Sequence, residues 1–168
     1  MKNIYIVGFM GTGKTVIGEI LAQKLGKDFI ETDKKIESKQ GKKIVDIFSQ
    51  DGEEHFRVQE KEIIRKLSSQ KDLVISCGGG LICNRENLEL LKSTGLVFCL
   101  RASAETIHER TKKDKNRPLL NVNNSLDKIK NLLQERTSCY AQAHYAIDTE
   151  GISPDEIVRK IISILNNG

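Results

Sequence analysis

Gly8-Phe9-Met10-Gly11-Thr12-Gly13-Lys14-Thr15 is the stretch that decides the fold. It fits the pattern G-x-x-x-x-G-K-[ST], and it stands between an apolar, strand-like run (residues 3–7) and a segment of helical period. Glycines at these positions let the backbone curl until successive N–H groups point at one anion. A helix starting near Lys14 adds the positive end of its dipole. At an ordinary glycine usage of about 7%, a chance match in a chain of this length arises about once in a hundred or more rarely. The loop is therefore expected to hold nucleotide phosphates through Gly11, Thr12, Gly13, Lys14 and Thr15. Lys14 would reach the β- and γ-phosphates, and the Thr15 hydroxyl would meet Mg²⁺.

Downstream of the loop, Ile17, Ile20, Leu21 and Leu25 recur at helical spacing, and Gly26 ends the helix. Short apolar runs at Asp28–Glu31, Leu73–Ser76, residues 96–100 and Tyr145–Asp148 read as four further strands. Between them, residues 54–67, 85–92, Ala104–Thr111 and 126–140 read as helices. The closing helix opens with Ser153-Pro154-Asp155-Glu156, an N-cap with Pro at the first helical position and Glu at the third. Five strands alternating with helices predict an α/β fold with a five-stranded parallel sheet flanked by helices. No repeat or linker interrupts it, so residues 1–168 are expected to form a single domain. Residues 112–125 are polar, ambiguous in period and contain Pro118, which marks them as a mobile lid.

Composition narrows the class. Hydrophobic residues make up 38% and charged residues 30% of the 168, with 2 Pro, which is the profile of a globular chain. The apolar runs are too short for a bilayer, and only Met1 and Lys2 precede the first strand, so neither a membrane span nor a signal sequence is expected. A net charge of +4 is too mild to argue for nucleic acid. The cluster Arg110, Lys112, Lys113, Lys115 and Arg117 has no interleaved aromatics on which bases could stack. Cys77, Cys83, Cys99 and Cys139 lack CxxC pairing and ligand-like spacing with histidine. They read as free buried thiols of a cytoplasmic protein, with a structural zinc as the alternative. No apolar face advertises an interface, and a monomer is expected.

Loops of this kind serve GTPases, motors and small kinases alike. No N-K-x-D follows a strand, as guanine reading would need, and a motor would be longer. Several further blocks give the discrimination: Thr32-Asp33; Ile47-Phe48 with Asp51-Gly52-Glu53-Glu54-His55-Phe56-Arg57; Gly78-Gly79-Gly80; Arg117-Pro118-Leu119-Leu120; and Arg136 with Tyr140. With the phosphate loop, in this order and spacing, the chain resembles the shikimate kinase family nearly end to end. The resemblance implies a P-loop kinase fold, ATP and shikimate as small-molecule substrates, and Mg²⁺. It places Asp33, Arg57, Gly79, Gly80 and Arg136 around shikimate, with Lys14, Asp33 and Arg117 as the catalytic groups. Arg117 would close on the phosphates with the lid, and Arg110 and Pro154 would flank adenine.

The chemistry of these residue types agrees. Arginine grips a carboxylate bidentately where lysine does not, and Asp33 can accept from ring hydroxyls and take the proton of the attacking one. Phe48 and Phe56 read as core or as pocket walls, and Glu60 as solvated or near the substrate. One departure stands out: the family pattern has Asp where this chain has Glu31, which would serve the magnesium through water. A kinase for gluconate or a nucleoside monophosphate is the nearest rival. An inactive nucleotide-binding homologue is another, although Lys14, Asp33 and the arginines are all intact.

Overall fold

The computed structural model describes residues 2–112 and 125–167. Five parallel strands form one sheet in the order β2-β3-β1-β4-β5. These are β1 (Asn3–Gly8), β2 (Asp28–Glu31), β3 (Leu73–Ser76), β4 (Gly95–Arg101) and β5 (Tyr145–Asp148). The helices are α1 (Lys14–Leu25), α2 (Thr32–Gln40), α3 (Ile44–Gln50), α4 (Gly52–Ser68), α5 (Arg85–Thr94), α6 (Ala104–Thr111), α7 (Ser125–Tyr140) and α8 (Pro154–Asn167).

Central β1 is buried along its whole length, because helices cover both faces of the sheet. Alternation still sorts its side chains. Tyr5 and Val7 join Val97, Cys99, Leu67, Leu91 and Ile129 on one face. Ile4 and Ile6 join Phe98, Leu100, Ile17, Leu21, Val158 and Ile161 on the other. Each such fully buried aliphatic side chain contributes about 1.5–3 kcal/mol of transfer free energy. Asn3 closes the far end of the sheet: Leu73 N–H donates to its Oδ1 (3.1 Å), and its Nδ2 donates to the Gln70 carbonyl (2.9 Å).

The five strands and the helices expected from sequence are all present, with ends shifted by a few residues. At the start of α8 the expected capping box forms: Glu156 N–H donates to Ser153 Oγ (3.3 Å), and Ser153 N–H donates to Glu156 Oε2 (3.0 Å). Two helices lie outside the sequence reading. α2 and α3 follow β2 and pack with α4 around a small cluster of Ile36, Ile47 and Phe56. The four thiols are free, but not all are buried: Cys77 and Cys99 are, Cys139 is half-buried and Cys83 is exposed. The expected lid, residues 112–125, falls outside the described residues except at its two ends. At one of them Ser125 Oγ is hydrogen-bonded to Nδ1 of His108 in the last turn of α6, at 3.0 Å.

In this strand order β1 lies between β3 and β4, and the chain runs from β1 to β2 and β3 on one side before it crosses to β4 and β5 on the other. The crevice beyond the carboxyl ends of the strands opens at that divergence, which is where ligands bind in open α/β sheets. The glycine-rich loop sits there.

Candidate active site

Gly8 and Gly13 carry φ of 134° and 94°, conformations that side-chain-bearing residues rarely adopt. At Gly8 a Cβ would also collide with the Leu100 carbonyl oxygen. Thr12 is buried, and its hydroxyl donates to the Phe9 carbonyl (2.7 Å), so it braces the loop from within. Gly13 caps α1 without a side-chain acceptor, which leaves the first amides of the helix turned to the loop hollow. Lys14 Nζ donates to the Gly8 and Phe9 carbonyls, each at 2.9 Å.

Thr15 Oγ1 donates to Glu31 Oε1 at 2.6 Å, and Lys34 pairs with the other oxygen of Glu31. A hydroxyl and a carboxylate of the chain thus stand side by side at the carboxyl end of β2. Among the described residues no group of three or more His, Cys, Asp or Glu side chains is arranged around a metal. A hydroxyl with one carboxylate is a hard-oxygen pair that suits a cation keeping most of its ligands as water and phosphate.

From the loop a cavity of about 550 Å³ runs between α2, α3, α4 and α7. Lys14, Asp33, Arg57, Gly79, Gly80 and Arg136 all line it, so residues far apart in sequence meet as expected. Phe48 and Phe56 form an apolar wall, with ring centroids 4.8 Å apart. Arg136 is buried, with its guanidinium over the Phe9 ring at 5.6 Å. Tyr140 Oη donates to the Gly79 carbonyl at 2.7 Å and pins the glycine turn to α7.

Glu60 is the group that sequence reasoning undervalued. It is 1% exposed, and Arg57 Nη1 donates to its Oε2 at 2.6 Å. Its Oε1 is buried without a hydrogen-bond partner among the described residues. Burial pushes its carboxyl up to about 7, the neighbouring Asp33 adds to this, and Arg57 and Arg136 oppose it. The available signal was its position three residues after Arg57 on a helix, where side chains share a face. On its outer side Arg57 Nη2 donates to Glu53 Oε1 at 2.7 Å, so two carboxylates aim the guanidinium.

Two of the three glycines also make room for neighbouring side chains. A Cβ on Gly78 would lie 2.6 Å from Glu60 Oε1 and 2.8 Å from Asp33 Oδ1, and one on Gly80 would lie 2.7 Å from Arg57 Nη1. Lys43, Ile44 and Val45 at the start of α3 also line the cavity and were not read from sequence.

On the far side of the loop, Arg110 Nη1 donates to the Gly11 carbonyl (3.3 Å), and its Nη2 donates to the Thr149 carbonyl (3.4 Å). Thr149 begins the connection from β5 to Pro154, which is exposed at the first turn of α8. Arg117 lies outside the described residues.

A loop shaped to hold phosphate that opens directly into a cavity of fixed charges defines a P-loop kinase, a phosphotransferase acting on a small acceptor. The chain belongs to the shikimate kinase family, whose sequence profile matches residues 10–166. It is 49% identical over 162 residues to the shikimate kinase of Thermodesulfovibrio yellowstonii, covering 96% of this chain and 94% of that one. The shikimate kinase of Acinetobacter baumannii in complex with shikimate superposes with a TM-score of 0.96 at 41% identity, over 99% of this chain and 94% of that one. A gluconokinase from Sinorhizobium meliloti, 19% identical, shares the fold alone, with a TM-score of 0.61 over 99% of this chain and 92% of that one.

Proposed function

We propose that this chain transfers the γ-phosphate of ATP to the 3-hydroxyl of shikimate, giving shikimate 3-phosphate and ADP in the route to chorismate and the aromatic amino acids. The observation that carries this reading is the convergence of Asp33, Arg57, Gly79, Gly80 and Arg136 on one cavity that also holds Lys14. Two guanidinium groups suit a carboxylate, Asp33 suits ring hydroxyls, and the Phe48–Phe56 wall suits the apolar face of a ring.

The groups then divide the work. Arg57 and Arg136 fix the acceptor's carboxylate, and Asp33 accepts the proton of the attacking hydroxyl. The loop amides hold the phosphates, and Lys14 leaves its carbonyl partners to neutralise charge on the transferring group. Thr15 and Glu31 would hold Mg²⁺, Glu31 through water, and the ion would supply neutralisation of phosphate charge. Arg110 and Pro154 flank adenine. Residues 112–125 act as the lid that brings in Arg117 and excludes water as a competing acceptor. The chain works as a single domain of residues 1–168, as a monomer in the cytoplasm, without nucleic acid or membrane partners. No helix among the described residues is long and apolar enough to cross a membrane.

A phosphorylation assay with ATP over shikimate, gluconate and nucleoside monophosphates tests the reading directly. Shikimate should be preferred by orders of magnitude, and Lys14→Ala should abolish transfer while the protein stays folded. Equal or better turnover on gluconate or a nucleoside monophosphate would replace the proposed substrate.

A further inference from the structure

Tyr140 is the last residue of α7, four positions after Arg136, so the two side chains leave the same face of the helix. Its ring is buried in one cluster with Leu81 and Ile82, which follow the three glycines. That turn satisfies much of its own backbone. Leu81 N–H donates to the Gly78 carbonyl and Cys83 N–H to the Gly80 carbonyl, each at 3.1 Å, and Gly78 N–H donates to Thr32 Oγ1 at 2.9 Å. The carbonyl between them, that of Gly79, accepts from the Tyr140 hydroxyl at 2.7 Å. Burial pushes the phenol up and the Arg136 charge opposes this only in part, so the hydroxyl keeps its proton and stays a donor.

Gly79 in turn stands at a junction. A Cβ on it would lie 3.5 Å from Arg136 Nη1, and 3.6 Å from both the Gly8 carbonyl oxygen and the Met10 nitrogen. One backbone unit thus fills the gap between a guanidinium of the acceptor cavity and the loop shaped for phosphate. The Arg136 guanidinium is also confined by the Phe9 ring, whose centroid is 5.6 Å away.

We propose that Tyr140 is a positioning residue for phosphoryl transfer: through the Gly79 carbonyl it fixes the separation between Arg136, which holds the acceptor, and the phosphate loop, which holds the donor. The parts given to Arg136 and the loop rest on the shikimate kinase reading above. Without the hydroxyl, a buried carbonyl loses its donor and the Gly79 peptide shifts towards another. Each substrate still meets its own groups, so binding of either one alone changes little. What is lost is their alignment, and a misplacement of about 1 Å can slow a reaction about a hundredfold.

Tyr140→Phe keeps the ring and removes the hydroxyl. Tyr5→Phe makes the same chemical change at the opposite end of the sheet, where the ring is fully buried and its hydroxyl is bonded to Thr94 Oγ1 at 2.7 Å. Both variants should lose a few degrees of Tm, the cost of one buried hydrogen bond. Tyr140→Phe should slow transfer in a single turnover about tenfold or more. Its Kd values for shikimate and for ATP, each titrated alone, should stay within about threefold of the parent's. Tyr5→Phe should transfer phosphate at the parent's rate. The proposal is overturned by a Tyr140→Phe protein with the parent's rate, by a loss expressed wholly as weaker shikimate binding, or by an equal loss in Tyr5→Phe. If the parent failed to phosphorylate shikimate, the substrate reading would fall by itself. The same comparison of rates, made on the acceptor that the parent does phosphorylate, would still decide the role of Tyr140.

Discussion

Glu60 is held at a boundary between two charge states, and the sign of its effect can be worked out. Its carboxyl rises from 4.5 to about 7 because burial penalises the charged form more than Arg57 and Arg136 favour it. A carboxyl with a raised folded-state pKa contributes stability that is fully present below about 4.5 and is lost as pH rises through about 7. The difference is at most about 3 kcal/mol. Urea unfolding of Glu60→Gln beside the parent should therefore show the stability difference moving in favour of the variant between pH 4.5 and 8. A constant difference over that range would mean that Glu60 does not titrate there. The neutral form also relieves the pocket of one negative charge while Oε2 still accepts from Arg57, so affinity for an anionic acceptor should rise as pH falls through about 7. At Glu31, the departure from the family's aspartate, the direct bond from Thr15 ties the extra methylene into place. Glu31→Ala should raise the Mg²⁺ concentration needed for half-maximal rate, and Glu31→Asp should largely preserve activity. Shikimate binding without nucleotide should change in neither. An unchanged magnesium dependence in Glu31→Ala removes this position from the metal's surroundings.

At the scale of the element, what could be read from sequence depended on how strongly each segment advertised its own burial. The three inner strands were visible because both of their faces are covered, which leaves runs such as Ile4–Val7 almost wholly apolar. α2 was not, because of its nine residues only Thr32 and Ile36 are buried, and α3 offers seven residues and one buried side chain, Ile47. Their partners are each other and α4, a contact that no local period announces. The triple glycine was legible as a feature but not for its physical reason. None of Gly78, Gly79 and Gly80 has a positive φ, so conformational freedom does not explain them. The space taken by Glu60, Asp33 and Arg57 does at Gly78 and Gly80, whereas a Cβ on Gly79 would meet nothing nearer than 3.5 Å. A prediction follows at Gly80. An added methyl meets only the end of a flexible side chain, with Nη1, Nη2 and Cζ of Arg57 at 2.7, 2.8 and 2.9 Å. Gly80→Ala should therefore displace the guanidinium and spare the backbone. Its Tm should stay within a few degrees of the parent, equivalent to less than about 1 kcal/mol. Its KM for shikimate should rise about tenfold or more, the usual scale for losing a charged hydrogen-bond partner. A variant with a normal shikimate KM would show that Arg57 tolerates the shift.

At the scale of the whole molecule, the strand order brings the working parts together. Asp33 follows β2, Gly79 and Gly80 follow β3, and Lys14 follows β1, so three parallel strands deliver their loops to one edge, and α4 and α7 add the arginines. This convergence was not readable from spacing, because residues 33, 57, 79 and 136 become neighbours only once the sheet order is fixed; the family resemblance supplied it instead. The same topology fixes where the segment that carries Arg117 departs and returns. It leaves α6, whose Arg110 touches the phosphate loop at Gly11, and it rejoins the chain at α7, the helix of Arg136. Where it returns, Ser125 is hydrogen-bonded to His108 of α6. Arg117, on the proposed lid, would meet the charge that grows as phosphate passes from nucleotide to acceptor. Arg117→Ala should then lower kcat by about a hundredfold or more, the scale of removing one transition-state donor. The shikimate Kd measured without ATP should move by less than about threefold, because uniform binding is not what this residue supplies. Single-turnover kinetics alongside calorimetric titration separate the two quantities. A variant with normal kcat and only a raised shikimate KM would place Arg117 in acceptor binding instead of in the transfer step.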